Sequence, residues 1–114
     1  TLTGTNSSWG PDGFANNGTT GAAKINIYST HPDEWLISPI FDLNDGVFAV
    51  SCDAAATEWN QTVDAIWGVD DWAALFMTSD GGSTWIELYR WDANNNPGAA
   101  SGPLSFLKTF DKAL

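Results

Sequence analysis

The run Glu34-Trp35-Leu36-Ile37-Ser38-Pro39-Ile40-Phe41-Asp42-Leu43, the turn Asn44-Asp45-Gly46 and then Val47-Phe48-Ala49-Val50-Ser51-Cys52-Asp53-Ala54 together decide the fold class. The first part predicts a strand over 34–38, closed by Pro39, which has no N–H to give to a sheet ladder. Asn-Asp-Gly is a strong turn signal. Val47 to Ala54 alternates so that Phe48, Val50, Cys52 and Ala54 share one face, the period of a half-buried strand. Outward from this core the same chemistry repeats. Residues 23–28 alternate polar with β-branched residues after the turn material Gly18-Thr19-Thr20-Gly21, and 72–78 and 84–91 read as a further pair of strands. No helical pattern exceeds a turn or two, and no tandem repeat is present. The expectation is one all-β domain over residues 1–114, a sandwich or a barrel.

Composition narrows the class. With 43% hydrophobic residues and seven Trp, the chain is too apolar for a disordered tail. Fourteen acidic against four basic residues give a formal charge of −10, and the pI is near 4.1. Phosphate backbones and anionic membrane surfaces are repelled by such a charge, so neither nucleic acid nor membrane insertion is expected. Acidity of this kind suits a divalent cation, a neutral glycan, a saline habitat or plain solubility. The single Cys52 allows no internal disulfide. Thr1 opens the chain without a leader or a span-length apolar run, which reads as a processed piece of a longer secreted protein. Asn6, Asn17 and Asn60 head Asn-x-Ser/Thr sequons, expected to be used only in a eukaryotic secretory pathway. Chance occurrence is the plain alternative in a chain rich in Asn and Thr.

Thr78-Ser79-Asp80-Gly81-Gly82-Ser83-Thr84-Trp85 fits the Asp-box pattern, Ser/Thr-x-Asp-x-Gly-x-Thr-Trp. The physics is local: Asp80 accepts N–H groups across the turn, Gly82 takes a positive φ, and a largely buried Trp85 folds back on the hairpin. One copy in so short a chain excludes a sialidase-type propeller. A longer series covers most of the chain: Trp9-Gly10-Pro11-Asp12-Gly13-Phe14, Ala22-Ala23-Lys24, Asp33 to Leu43, Phe48 to Ala54, and the 78–85 hairpin. That order resembles the choice-of-anchor J and cleaved-adhesin domains of bacterial secreted proteins, relatives of the MAM domain. The resemblance implies a jelly-roll β-sandwich of two antiparallel sheets. MAM domains of animal receptors carry paired cysteines, so the single Cys52 places the likeness on the prokaryotic side. Members of the family run on for at least two strands beyond a segment like 104–114. The C-terminal strands are therefore expected to be missing, with another chain or domain completing the sandwich.

Candidate functional residues fall in loops. His31 is the only histidine, so a Ser-His-Asp triad or a multi-His metal centre would have to use it. It adjoins Pro32 in turn-like sequence. Cys52 lies on an apolar strand face, where a thiol is inert, and no pair of carboxylates stands in a telling context. The chain is expected to be noncatalytic. Asp12, Asp64, Asp70 and Asp71 are oxygen donors near turns, suited to calcium. Their alternative role is to cap their own turns. The resemblance implies calcium near the N-terminal strand and its neighbouring loops, where Asp12 fits best, and Asp12, Asp70 and Asp71 are the metal candidates. Trp9, Trp35 and Trp85 belong in the core. Trp59, Trp67 and Trp72 flank or occupy the 58–71 stretch, read as a long loop without structure of its own. They are the candidates for binding an extracellular glycan or protein ligand. The leading expectation is an adhesion or recognition module at the cell surface or outside the cell. The alternatives are a carbohydrate-binding module appended to a secreted hydrolase, and a structural spacer.

Overall fold

In the computed structural model, residues 9–18, 21–27, 34–99 and 104–111 are described. Among them the protein is all-β: six strands and one 3-10 turn. The strands are β1 (Gly10–Asp12), β2 (Ala22–Lys24), β3 (Val47–Ala54), β4 (Trp72–Met77), β5 (Ile86–Asp92) and β6 (Leu104–Asp111), and the turn is Phe14–Asn16. Every ladder is antiparallel, and they form three two-stranded ribbons, β1–β2, β3–β6 and β4–β5. The β3–β6 pair is the long-range closure, running in register from Val47↔Asp111 to Ala54↔Leu104. In chain order the β4–β5 hairpin falls between its two strands.

The alternation read along β3 holds: Phe48, Val50, Cys52 and Ala54 are half-buried, while Val47, Ala49, Ser51 and Asp53 are exposed. Two expected strands are corrected. Over 34–38 only Leu36 makes an isolated bridge, and Trp35 anchors the segment through its ring. That ring packs 5.3 Å from Phe76 and 5.1 Å from Trp85. The apolar spacing recorded a side-chain contact with the β4–β5 hairpin, not a ladder. The second correction is 23–28, where pairing stops at Lys24. Its partner β1 is three residues long and contains Pro11, which donates no N–H. Tyr28 lies outside the described residues. β1 and β6 were not expected as strands.

The 78–85 turn is built as its sequence suggests. Asp80 Oδ1 accepts the Thr84 N–H at 2.9 Å and the Thr78 hydroxyl at 2.8 Å, and Oδ2 accepts the Thr84 hydroxyl at 2.5 Å. Thr78 Oγ1 in turn accepts the Gly82 N–H at 3.0 Å. Gly82 has φ 95°, and a Cβ there would touch the Trp85 ring at 3.5 Å, so the indole lies over the turn. Trp85 is half-buried, less than expected. In β5, Leu88 is the extra residue of a bulge, because Leu75 pairs with Tyr89 and Phe76 with Glu87.

Two tests follow. Trp35→Ala removes the ring shared by Phe76 and Trp85; for a half-buried indole this costs about 2–3 kcal/mol in denaturant melts. The second test concerns Asp80. The Thr84 hydroxyl, the Thr84 N–H and the Thr78 hydroxyl hold its carboxyl down at about 2. The folded value lies below the unfolded one near 4. Its stabilising contribution is therefore full above pH about 4 and disappears as the pH falls toward 2. A carboxyl-carbon NMR titration should show a midpoint near 2, moving up toward 4 in Thr84→Val. A midpoint near 4 in the wild type would refute the turn geometry.

Candidate functional site

The 58–71 stretch, expected to be an unstructured loop, has structure of its own. Residues 56–65 form a small hairpin finger. Thr57 and Asp64 bridge, the Ala65 N–H donates to the Ala56 carbonyl, and the Glu58 N–H donates to that of Val63, both at 3.1 Å. The tip closes with the Gln61 N–H donating to Glu58 O at 3.0 Å, and Asn60 turns the chain at φ 52°. Asn tolerates this left-handed conformation better than most residues. Past the finger, the chain turns again where the Asp71 N–H donates to Gly68 O at 3.1 Å and the Gly68 N–H to Asp71 Oδ2 at 2.7 Å.

The finger is clamped from two sides. On one side the Asn16 amide donates to Thr57 Oγ1 at 2.8 Å and to the Gln61 carbonyl at 2.6 Å. Asn16 reaches them because the chain doubles back over Gly13. A Cβ at Gly13 would collide with the carbonyl oxygens of Asn17 and Gly18. Lys24 Nζ donates to Asn16 Oδ1 at 3.3 Å and stands 6.0 Å from the centre of the Trp59 ring. On the other side the Ala99 N–H donates to Asp64 Oδ1 at 2.5 Å, the Asn96 amide to Ala65 O at 2.8 Å, and the Ala56 N–H to Gly98 O at 3.1 Å. Ala56, at the centre of this clamp, is buried.

The three candidate tryptophans stand on different supports. Trp59 is at the finger tip and 63% exposed. Trp67 is half-buried and lines a shallow, open depression of about 280 Å³ with Asp64, Ala65, Ile66, Ala93, Asn96 and Gly98. That is below the usual 300–1,000 Å³ of an enclosed small-molecule site. Trp72 lies on β4, and one face of its ring is covered by the Arg90 guanidinium, 3.9 Å from the ring centre. Arg90 is held there by Glu87 at 2.8 and 3.1 Å.

Among the described residues, no group of three or more His, Cys, Asp or Glu is placed to hold a metal. Asp70 and Asp71 both flank Gly68, and Asp71 caps its N–H. Asp64 ties the finger to Ala99. Asp12 falls in β1, but its side chain lies outside the described residues, as do His31 and Asn6. Burial first, and then the neighbouring Asp53, push the Cys52 thiol above its ordinary range.

Asn16 and Asn96 were not singled out by sequence. Each sits in a turn-forming run, Phe14-Ala15-Asn16-Asn17-Gly18 and Asn94-Asn95-Asn96-Pro97-Gly98, and such runs signal turns without naming a distant partner. Comparison with known proteins returned no matching family model, no matching curated protein and no matching solved structure. Asn16→Ala removes two hydrogen bonds that cross more than forty residues, so a loss of about 1–2 kcal/mol is expected in denaturant melts. A change below a few tenths would show that the finger is held by other contacts.

Proposed function

We propose that this chain is a noncatalytic recognition module of a secreted or cell-surface protein, with its binding surface on the finger and the adjoining stretch to Val69. One observation carries the reading. Side-chain hydrogen bonds pin the finger, and on it and the stretch that follows large apolar side chains stand out in water: Trp59 at 63% exposure, Ile66 at 92% and Val69 at 99%. A rigid segment presenting aromatic and aliphatic groups suits capture of a ligand, because little ordering entropy is lost on binding. The raised thiol of Cys52 supports the noncatalytic part, since a thiol is a poor nucleophile when its thiolate is disfavoured. The net charge of −10 weighs against polyanionic ligands.

A carbohydrate-binding role is the second reading, favoured by the open depression in which Trp67 stands beside Asn96 and Asp64. Under either reading the three ribbons belong to a jelly-roll sandwich. The exposed Leu36, Ile40, Phe41 and Val47 are then the surface that another chain or domain covers to complete it. Calcium belongs to the proposal at Asp12, Asp70 and Asp71, of which Asp70 and Asp71 both stand against Gly68. A melting temperature that does not move between millimolar calcium and chelator removes it from the reading.

A glycan array separates the two readings. For a glycan that binds, Trp67→Ala should weaken affinity by roughly 1–3 kcal/mol, while its melting temperature falls less than that of Trp35→Ala. For a protein ligand, Trp59→Ala should produce the larger loss. Affinity unchanged in both variants would place recognition elsewhere on the molecule.

A further inference from the structure

We infer that Asn60 is the acceptor of an N-linked glycan, on the reading that the chain is exported. The sequence offers Asn6, Asn17 and Asn60, and between the two described asparagines, Asn17 and Asn60, the structure favours Asn60. Asn6 and Thr19, the hydroxyl residue that follows Asn17, lie outside the described residues. The Asn17 amide nitrogen is turned back on its own backbone, donating to Ala15 O at 3.3 Å. Asn60 stands in the turn at the tip of the finger. Asn60, Gln61 and Thr62 are all exposed. Among the described residues, the amide of Asn60 and the hydroxyl of Thr62 have no hydrogen-bond partner, so both are open to a transferase. The turn is held by its main chain, through Gln61 N–H to Glu58 O, and by Asn16 on Gln61 O. A sugar on Asn60 therefore displaces none of the bonds that hold the finger.

A second feature distinguishes Asn60. Glu58 stands two residues before it, and its carboxylate is exposed, with one long bond of 3.4 Å from the Ile66 N–H. The bacterial form of the reaction asks for an acidic residue at that position, where a cationic group of the transferase can pair with it. The residues at the corresponding place before Asn6 and Asn17 are Gly4 and Ala15. The finger thus satisfies both forms of the acceptor rule, and use of Asn60 does not require a eukaryotic pathway. In the transfer, Asn60 Nδ2 forms a bond to the anomeric carbon of a polyprenyl-pyrophosphate-linked oligosaccharide. The bond from that carbon to the pyrophosphate oxygen breaks, polyprenyl pyrophosphate leaves with the electron pair, and the amide proton passes to a base of the transferase. The sugar then emerges beside the exposed Trp59, on the proposed recognition surface, where it would compete with a protein ligand for that ring.

The test incubates the purified, folded chain with a bacterial oligosaccharyl transferase and a lipid-linked oligosaccharide, with a standard acceptor peptide as the positive control. Intact mass and peptide mapping are the readouts. One glycan on Asn60 is expected. Asn60→Gln should abolish it, Glu58→Gln should slow it at least tenfold, and Asn17→Gln should leave it unchanged. A chain that gains no mass while the control peptide is modified, or a glycan mapped to Asn17, overturns the inference. Because the assay uses isolated protein, its outcome is independent of whether the chain is exported. Export is read separately, by locating the protein in its own cells.

Discussion

The finger clamp is the constraint on which the rest depends. Asn16 from the N-terminal turn on one side, and Asn96 with the Ala99 N–H that Asp64 accepts on the other, fix one short hairpin against two segments distant in sequence. Only Ala56 and Trp91 are buried apolar residues among those described. Around the finger, hydrogen bonds between amides, carboxylates and main chain do the positioning, and their directionality suits the task. A few well-aligned bonds, each of modest net strength, set a geometry that apolar contact alone leaves slack.

The same economy explains how the aromatic residues are used. Trp35, Phe76 and Trp85 make one small cluster that joins the 34–38 segment to the β4–β5 hairpin. Tyr89 meets Trp91 edge-on at 5.0 Å in a second cluster. Trp72 is matched with Arg90, and the Glu87 pair keeps that guanidinium in place. These contacts join elements locally, leaving Trp59 and the aliphatic residues of the 63–69 stretch facing water. Such exposure carries a solvation cost, and the proposed recognition surface gives it a purpose.

The charge distribution follows from the same use of side chains. Asp80 closes a turn, Asp71 caps Gly68, Asp64 ties down Ala99 and Asp92 accepts the Asn94 N–H. Four of the fourteen acidic residues thus serve as local acceptor groups in a chain whose turns are rich in Gly, Asn and Thr. The net charge of −10 reflects fourteen acidic residues answered by only four basic ones.

What could be read from the sequence was short-range. The two-residue period marks β3 because each side chain's face is set by its neighbour's, and the 78–85 turn is legible because Asp80, Gly82 and Thr84 act within seven residues. The all-β class follows from such signals. The partner of β3 was not legible, since β6 lies fifty residues on and its pairing depends on everything nested between. Trp35 shows the limit most plainly: its apolar neighbourhood looked like a strand, whereas its role is a ring contact. Residues 56–65 read as loop because their hairpin is stabilised by Asn16, Asp64, Asn96 and Gly98. Sequence determines where the chain can turn and which face of a strand is apolar, because those are properties of adjacent residues. Only tertiary structure decides which distant amide meets which carbonyl, because loop closure makes that choice a property of the whole chain.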